Sequence, residues 1–139
     1  WANYIYNIEQ IKEFLTTKYG KESFVEIYGA TKVKVRQKAI ELFQNDPKVR
    51  FFVSNPTTGG YGLTLTAANT VVYFSNNYNL EVRKQSEDRA HRSGQTGTVV
   101  IIDIITENTI DEKIMKALTK KGQIAAKTLG EEELKDWLL

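Results

Sequence analysis

"SFVEIYGATKVKVRQKAIELFQNDPKVRFFVS", residues 23–54, decides the fold. Its two ends, "SFVEIY" (23–28) and "VRFFVS" (49–54), are short β-branched and aromatic runs suited to buried strands. Between them Val35, Ala39, Leu42 and Phe43 recur at helical spacing, with Thr31 placed as N-cap and the helix ending near Asn45. Two strands joined by a helix of that length pair in parallel, through a right-handed crossover.

The flanking segments repeat the pattern. Ile5, Ile8, Ile11, Leu15 and Tyr19 form an amphipathic stripe closed by Gly20, and "TVVYFS" (70–75) and "TVVIIDII" (98–105) are two further strands. The spacing predicts a helix from Leu80 to Arg92 with Gly94 just beyond its end, and another carrying Ile110, Ile114 and Leu118 on one face. The expected class is α/β: a mostly parallel sheet with helices on both faces, whose ligands bind at the carboxyl ends of the strands. The loops after Tyr28, Ser54, Phe74 and Ile105 are therefore the places to look. "TLGEEELKDWLL" is expected to restart as a short helical tail after Gly130.

Composition narrows the chemistry. The 139 residues suit one domain that buries a core without disulfides, and cysteine is absent, which removes disulfides, thiolate catalysis and cysteine-ligated zinc. A single histidine excludes a multi-histidine metal site. Nineteen basic against seventeen acidic residues give +2, too balanced to announce a polyanion partner by bulk charge, so any such site is local. No apolar run approaches the roughly 18 residues of a membrane span. These features point to a soluble, cytoplasmic protein, and an opening at Trp1 inside a helical pattern reads as a piece of something longer, with its first strand truncated.

Two stretches carry unusual chemistry. "TTGGYGLTLTAAN" (57–69) places three glycines in four positions after a buried strand, where backbone N–H groups can approach a phosphate and Thr57, Thr58, Thr64 and Thr66 can add hydroxyls. A dinucleotide-binding fingerprint would need a third glycine where Leu65 stands and an acid where Ser75 and Asn76 stand; a Walker A loop would need Gly-Lys-Ser/Thr. "QSEDRAHRSGQ" (85–95) holds two arginines, a glutamine and the one histidine; on a helix Gln85, Arg89 and Arg92 share a face, and the two guanidiniums can converge on clustered negative oxygens. The plainer reading is a solvated helix pairing its arginines with Glu81, Glu87 and Asp88.

In order and spacing, "GGYGLTLTAANTVVYF" followed by "QSEDRAHRSGQ" resembles motifs V and VI of the Swi/Snf-type branch of superfamily-two helicase-like ATPases, and "VEIYGATKVKVRQKAIELFQ" resembles the segment upstream of them. The resemblance covers about residues 1–125, leaving 126–139 as a helical tail. It implies a RecA-like three-layer domain, the second of two in an ATP-driven translocase on double-stranded DNA. The N-terminal RecA-like domain supplies Walker A and the Mg²⁺-binding acid, neither of which occurs here. By residue match, Arg89 and Arg92 are implied arginine fingers on ATP, Gln85 a helper that positions motif VI, and Gly62 part of the nucleotide site. Gly29, Thr31, Lys32, Gly60, Thr64, Thr66 and Tyr78 are the implied DNA contacts.

Several residues carry plainer expectations. Arg36 reads equally as a family arginine or a salt bridge packing its helix; Lys34, Arg83 and Lys84 read as solvated; His91 reads as structural. Tyr78-Asn79-Leu80 departs from the family's Trp-Asn-Pro, and "NPTT" (55–58) lacks the arginine often found before the double glycine. The isolated piece is expected to be monomeric and to hydrolyse little ATP, and its compactness suggests a bacterial or phage source. A RecA-like module that binds nucleic acid or protein without a motor cycle is the alternative function.

Overall fold

The computed structural model describes residues 1–29, 31–59 and 62–129. In chain order the elements are α1 (Ile5–Tyr19), β1 (Phe24–Ile27), α2 (Val33–Asn45), β2 (Phe51–Ser54), β3 (Thr70–Tyr73), α3 (Leu80–Glu87), β4 (Val100–Asp103) and α4 (Ile110–Leu129). Short 3₁₀ turns precede β1 and follow β2. The expected tail helix after Gly130 lies outside the described residues, and α4 runs unbroken across positions 125 and 126.

The strands pair in parallel, as the crossover lengths require: β1 with β2, Phe24 opposite Phe51, and β3 with β4, Thr70 opposite Val100. Residues 1–3 join the two pairs. Ala2 N–H donates to Ser54 O at 3.0 Å on the β2 side. On the β3 side the Trp1 nitrogen donates to Val72 O at 2.6 Å and Phe74 N–H donates to Trp1 O at 2.8 Å.

Side-chain alternation then places helices on both faces of β1–β2. Val53 packs with Ala2, Ile8 and Leu15, so α1 covers one face. Phe52 points the other way, its ring 5.4 Å from Phe43 of α2. On that side of β3, Val71 and Tyr73 pack with Ala90 and Trp1. Val72, Phe74, Val100, Ile102 and Ile104, on the opposite face of β3–β4, are exposed.

Three local expectations are corrected. Thr31 does not cap α2: its hydroxyl donates to Tyr28 O at 2.7 Å and accepts from Tyr28 N–H, so it closes the β1–α2 turn, and Lys32 holds the cap position with no side-chain cap bond. Ile5 and Val35, assigned to apolar stripes, are exposed; Ile8, Leu15 and Ala39 carry the burial. The third helix stops at Glu87 rather than Arg92, because the next carbonyls are captured from outside the helix. Leu65 N–H takes Arg89 O at 2.9 Å, and the Gln95 amide takes Ala90 O at 3.2 Å.

Candidate nucleotide and nucleic-acid interface

The glycine-rich loop leaves β2 through buried Ser54, whose hydroxyl donates to Ile27 O at 2.5 Å. Leu63 and Leu65 then point into the core while Thr64 between them is exposed. Gly62 sits at φ 57°, a conformation that a side chain strains. That alternation presents Gly62 and Thr64 outward, and there the structure brings Arg92. Its Nη1 donates to Gly62 O at 3.0 Å and to Thr64 Oγ1 at 3.3 Å.

Two glutamines lock this junction. Gln95 Nε2 donates to Thr66 O, Ala68 O and Ala90 O at 2.9–3.2 Å, tying the end of the glycine-rich loop to the turn after α3. From the other side Gln44 of α2 receives Ala67 N–H at 2.8 Å and donates to Thr66 Oγ1 at 3.1 Å. Thr66 Oγ1 keeps its own proton for a further acceptor. Neither glutamine was expected at the site. The Gly-Gln ending of "QSEDRAHRSGQ" was the signal for Gln95; a lone amide in a helical stripe gave none for Gln44.

The three residues expected on one face are not together. Past the end of α3 the chain turns, so Arg89 is buried, 4% exposed, with its guanidinium 5.4 Å from the Trp1 ring centroid, while Arg92 stays on the surface. Burial lowers the Arg89 pKa from its ordinary value. Gln85 is exposed and donates to Glu81 at 3.0 Å rather than toward Arg92. His91 is exposed too, its backbone N–H bonded to Glu87 O.

The expected DNA contacts fall in three places. Gly29 and Thr31 form a turn braced by Arg36, whose Nε donates to Thr31 O at 2.7 Å and Nη2 to Gly29 O at 3.0 Å. Arg36 thus supports the turn through carbonyls. Lys32 is exposed at the N-terminus of α2, where first-turn N–H groups attract anions, whereas the Thr31 hydroxyl is committed to Tyr28. Thr64 and Thr66 belong to the Arg92 junction; Gly60 lies outside the described residues. Tyr78 is 44% exposed and its carbonyl accepts from Lys121 of α4 at 2.6 Å. Asn79 caps α3, accepting from Glu81 and Val82 N–H.

Arg83, expected to be solvated, is 6% exposed and anchors a buried ionic cluster. Its Nη1 and Nη2 bind both carboxylate oxygens of Asp103 at 2.6 and 3.0 Å, its Nε binds Glu87, and Nη1 also reaches Asn76 Oδ1 at 2.7 Å. The guanidinium stacks 3.6 Å from the Tyr73 ring centroid, and the Tyr73 hydroxyl bonds Ser86 at 2.5 Å. Burial alone would depress the Arg83 pKa, but the bonds to Asp103 and Glu87 outweigh it and the net shift is upward. Desolvation also raises Tyr73. The cluster fastens α3, and so the turn bearing Arg89 and Arg92, to the ends of β3 and β4. Its signal was a lone acid inside "VVIIDII". Among the described residues no group of three or more His, Cys, Asp or Glu is placed to hold a metal ion.

Comparison with known proteins bears on the family and the fold. Residues 1–94 match the family described as helicase conserved C-terminal domain. Helicase SWR1 of Candida glabrata is 36% identical over 117 residues, 84% of this chain but 8% of that protein. The chromatin-remodeling ATPase INO80 of Candida albicans is 33% identical over 119 residues, 86% of this chain and 8% of that one. The crystal structure of the C-terminal part of the Fun30 ATPase domain superposes with a TM-score of 0.78 at 32% identity, covering 84% of this chain and 37% of that one. The chain thus spans under a tenth of the length of these curated relatives.

These relatives overturn the expected bacterial or phage, cytoplasmic setting: SWR1 and INO80 are yeast proteins, and INO80 is named for remodeling chromatin. Compactness misled because only one domain is compared, and insertions elsewhere in a long protein leave no trace in it. With parallel strands, crossover helices and both motifs in place, the chain belongs to the helicase conserved C-terminal domain family, in its Swi/Snf-type ATPase branch.

Proposed function

We propose that this chain is the C-terminal motor domain of an ATP-dependent translocase on double-stranded DNA. The observation that carries the reading is the junction of Arg92 with Gly62 and Thr64. An exposed guanidinium beside a glycine in the left-handed region and an outward-facing threonine is a donor set suited to phosphate oxygens. It lies just beyond the carboxyl end of β2, where α/β sheets bind ligands.

In this reading ATP binds between this domain and an N-terminal RecA-like domain of the same protein, which holds Mg²⁺ and the Walker A lysine. Arg92 leaves the Gly62 carbonyl for the γ-phosphate and neutralises charge as the terminal bond breaks, an effect worth roughly 10³ to 10⁵ in rate. Arg89 can act as a second finger only by leaving the Trp1 ring, so Arg92 bears the assignment, with Gln85 and Gly62 at the rim of the nucleotide site. On the DNA side, Lys32 and the open first turn of α2, with the backbone of Gly29 and Thr31, receive one strand's phosphates. The hydroxyls of Thr64 and Thr66 face the same backbone, and Tyr78 extends the track. Gln44 links that surface to the Arg92 junction through Thr66 and Ala67. Lacking Walker A, the 139-residue chain alone hydrolyses no ATP.

The test is steady-state ATP hydrolysis, with and without double-stranded DNA, by a protein carrying both RecA-like domains. Arg92→Ala is expected to abolish DNA-stimulated turnover while DNA binding persists. Normal turnover by Arg92→Ala would sink the motor assignment and favour a binding module.

A further inference from the structure

We infer that Gln44, in the last turn of α2, is a positioning residue for DNA binding: it makes the Thr66 hydroxyl a one-way donor to the acceptor-only oxygens of a phosphodiester backbone. This rests on the reading of the glycine-rich loop as a DNA contact.

Hydrogen-bond polarity carries it. Ala67 N–H can only donate, so the Gln44 atom 2.8 Å from it is the carbonyl oxygen Oε1, and that contact fixes which way round the amide lies. Nε2 then faces Thr66 Oγ1 at 3.1 Å, and an amide nitrogen only donates. The hydroxyl accepts there, and its own proton turns elsewhere. Among the described residues no acceptor takes that proton. Thr66 is held from other directions as well. Its carbonyl accepts from Gln95 Nε2 at 3.2 Å and its methyl lies toward Gly94, so main chain, methyl and hydroxyl are each pinned.

Thr64, two residues earlier, shows the same polarity with a different partner. Its Oγ1 accepts from Arg92 Nη1 at 3.3 Å, and a guanidinium has no acceptor. The loop thus turns two hydroxyl protons outward, a match for phosphate oxygens, which only accept. The two differ in what they depend on. Thr64 loses its orienting bond when Arg92 moves to nucleotide, whereas Thr66 keeps Gln44 throughout. Gln44 therefore holds one phosphate contact constant through the ATP cycle, and does so from the helix whose N-terminus bears Lys32.

Gln44→Glu reverses the polarity and keeps the geometry. One carboxylate oxygen still accepts Ala67 N–H, the other accepts the Thr66 O–H, and the proton is spent inside the fold. Duplex binding is measured at fixed salt by anisotropy of a fluorescein-labelled DNA, on a protein carrying both RecA-like domains. Gln44→Glu is expected to weaken binding roughly 10- to 100-fold, the worth of one hydrogen bond to a charged group, while Ala67 N–H stays protected from hydrogen exchange. The new carboxylate also repels DNA by charge alone, so Thr66→Val supplies a second background. There Gln44→Glu is expected to add less than about a twofold loss, because the hydroxyl it acts through is gone. An equal loss in both backgrounds, or no loss beside Thr66, overturns the inference while leaving the DNA reading intact. Should Gln44→Glu fail to fold or leave Ala67 unprotected, Gln44→Met carries the same comparison without added charge: a loss beside Thr66 and none in the Thr66→Val background supports the role, and equal losses overturn it. A protein with native Gln44 and Thr66 that does not bind the duplex at all sinks the DNA reading itself, and this inference with it.

Discussion

Replacing Asp103 by Leu removes one partner from the buried ionic cluster around Arg83. Arg83 is 6% exposed and loses two bonds of 2.6 and 3.0 Å, leaving its charge to Glu87 and Asn76. Breaking a buried pair from one side typically costs 3–5 kcal/mol; Glu87 persists as counter-charge and Asp103 is 18% exposed, so the low end, about 3 kcal/mol, applies. For a domain of this size that is roughly 6–12 °C in Tm. Urea unfolding followed by circular dichroism measures the loss. The double change Arg83→Met with Asp103→Leu should recover only part of it, because Glu87, 8% exposed, loses its bond to Arg83. Adding Glu87→Met should return stability to within about 1 kcal/mol of the parent, since apolar replacement of a buried ionic cluster is near neutral. Because the pair is shielded from solvent, salt should change the loss little. A loss below about 1 kcal/mol for Asp103→Leu would refute the reasoning and leave α3 anchored by Tyr73, Ser86 and packing instead.

The two arginines of motif VI should separate by assay. Arg92→Ala removes a surface group and should move the urea midpoint by less than about 0.5 kcal/mol, whereas Arg89→Ala strips a buried stack from Trp1 and should cost about 1–3 kcal/mol; equal effects would contradict their placement. Gln95→Leu should cost about 1–3 kcal/mol by abandoning the carbonyls of Thr66, Ala68 and Ala90, and exchange at Leu65 N–H should quicken as the two motifs part; intact protection there would show the junction held without Gln95. In a chain starting at Trp1, the α-amine falls from its ordinary 8.0 to about 6 on folding. The unfolded state then binds the proton more tightly, so stability is full above pH 8 and drops by at most roughly 2.7 kcal/mol as pH falls from 8 through 6. N-terminal acetylation should flatten that slope, and an unaltered slope would assign it to other groups.

The sequence by itself determined the α/β class, the parallel pairing and the order of elements, because apolar period and crossover length are local properties of the chain. It also located the glycine-rich loop and the Arg-rich turn, whose residue types carry their chemistry in their spacing. Tertiary structure decided the rest. Where α3 ends depends on Leu65 and Gln95 taking the carbonyls of Arg89 and Ala90, contacts from outside the helix that no helical pattern records, and that ending sends Arg89 inward and Arg92 out. Whether Arg83 is solvated or buried depends on Asp103, twenty residues on and on another element, so a charge that local pattern reads as surface becomes the anchor of the helix.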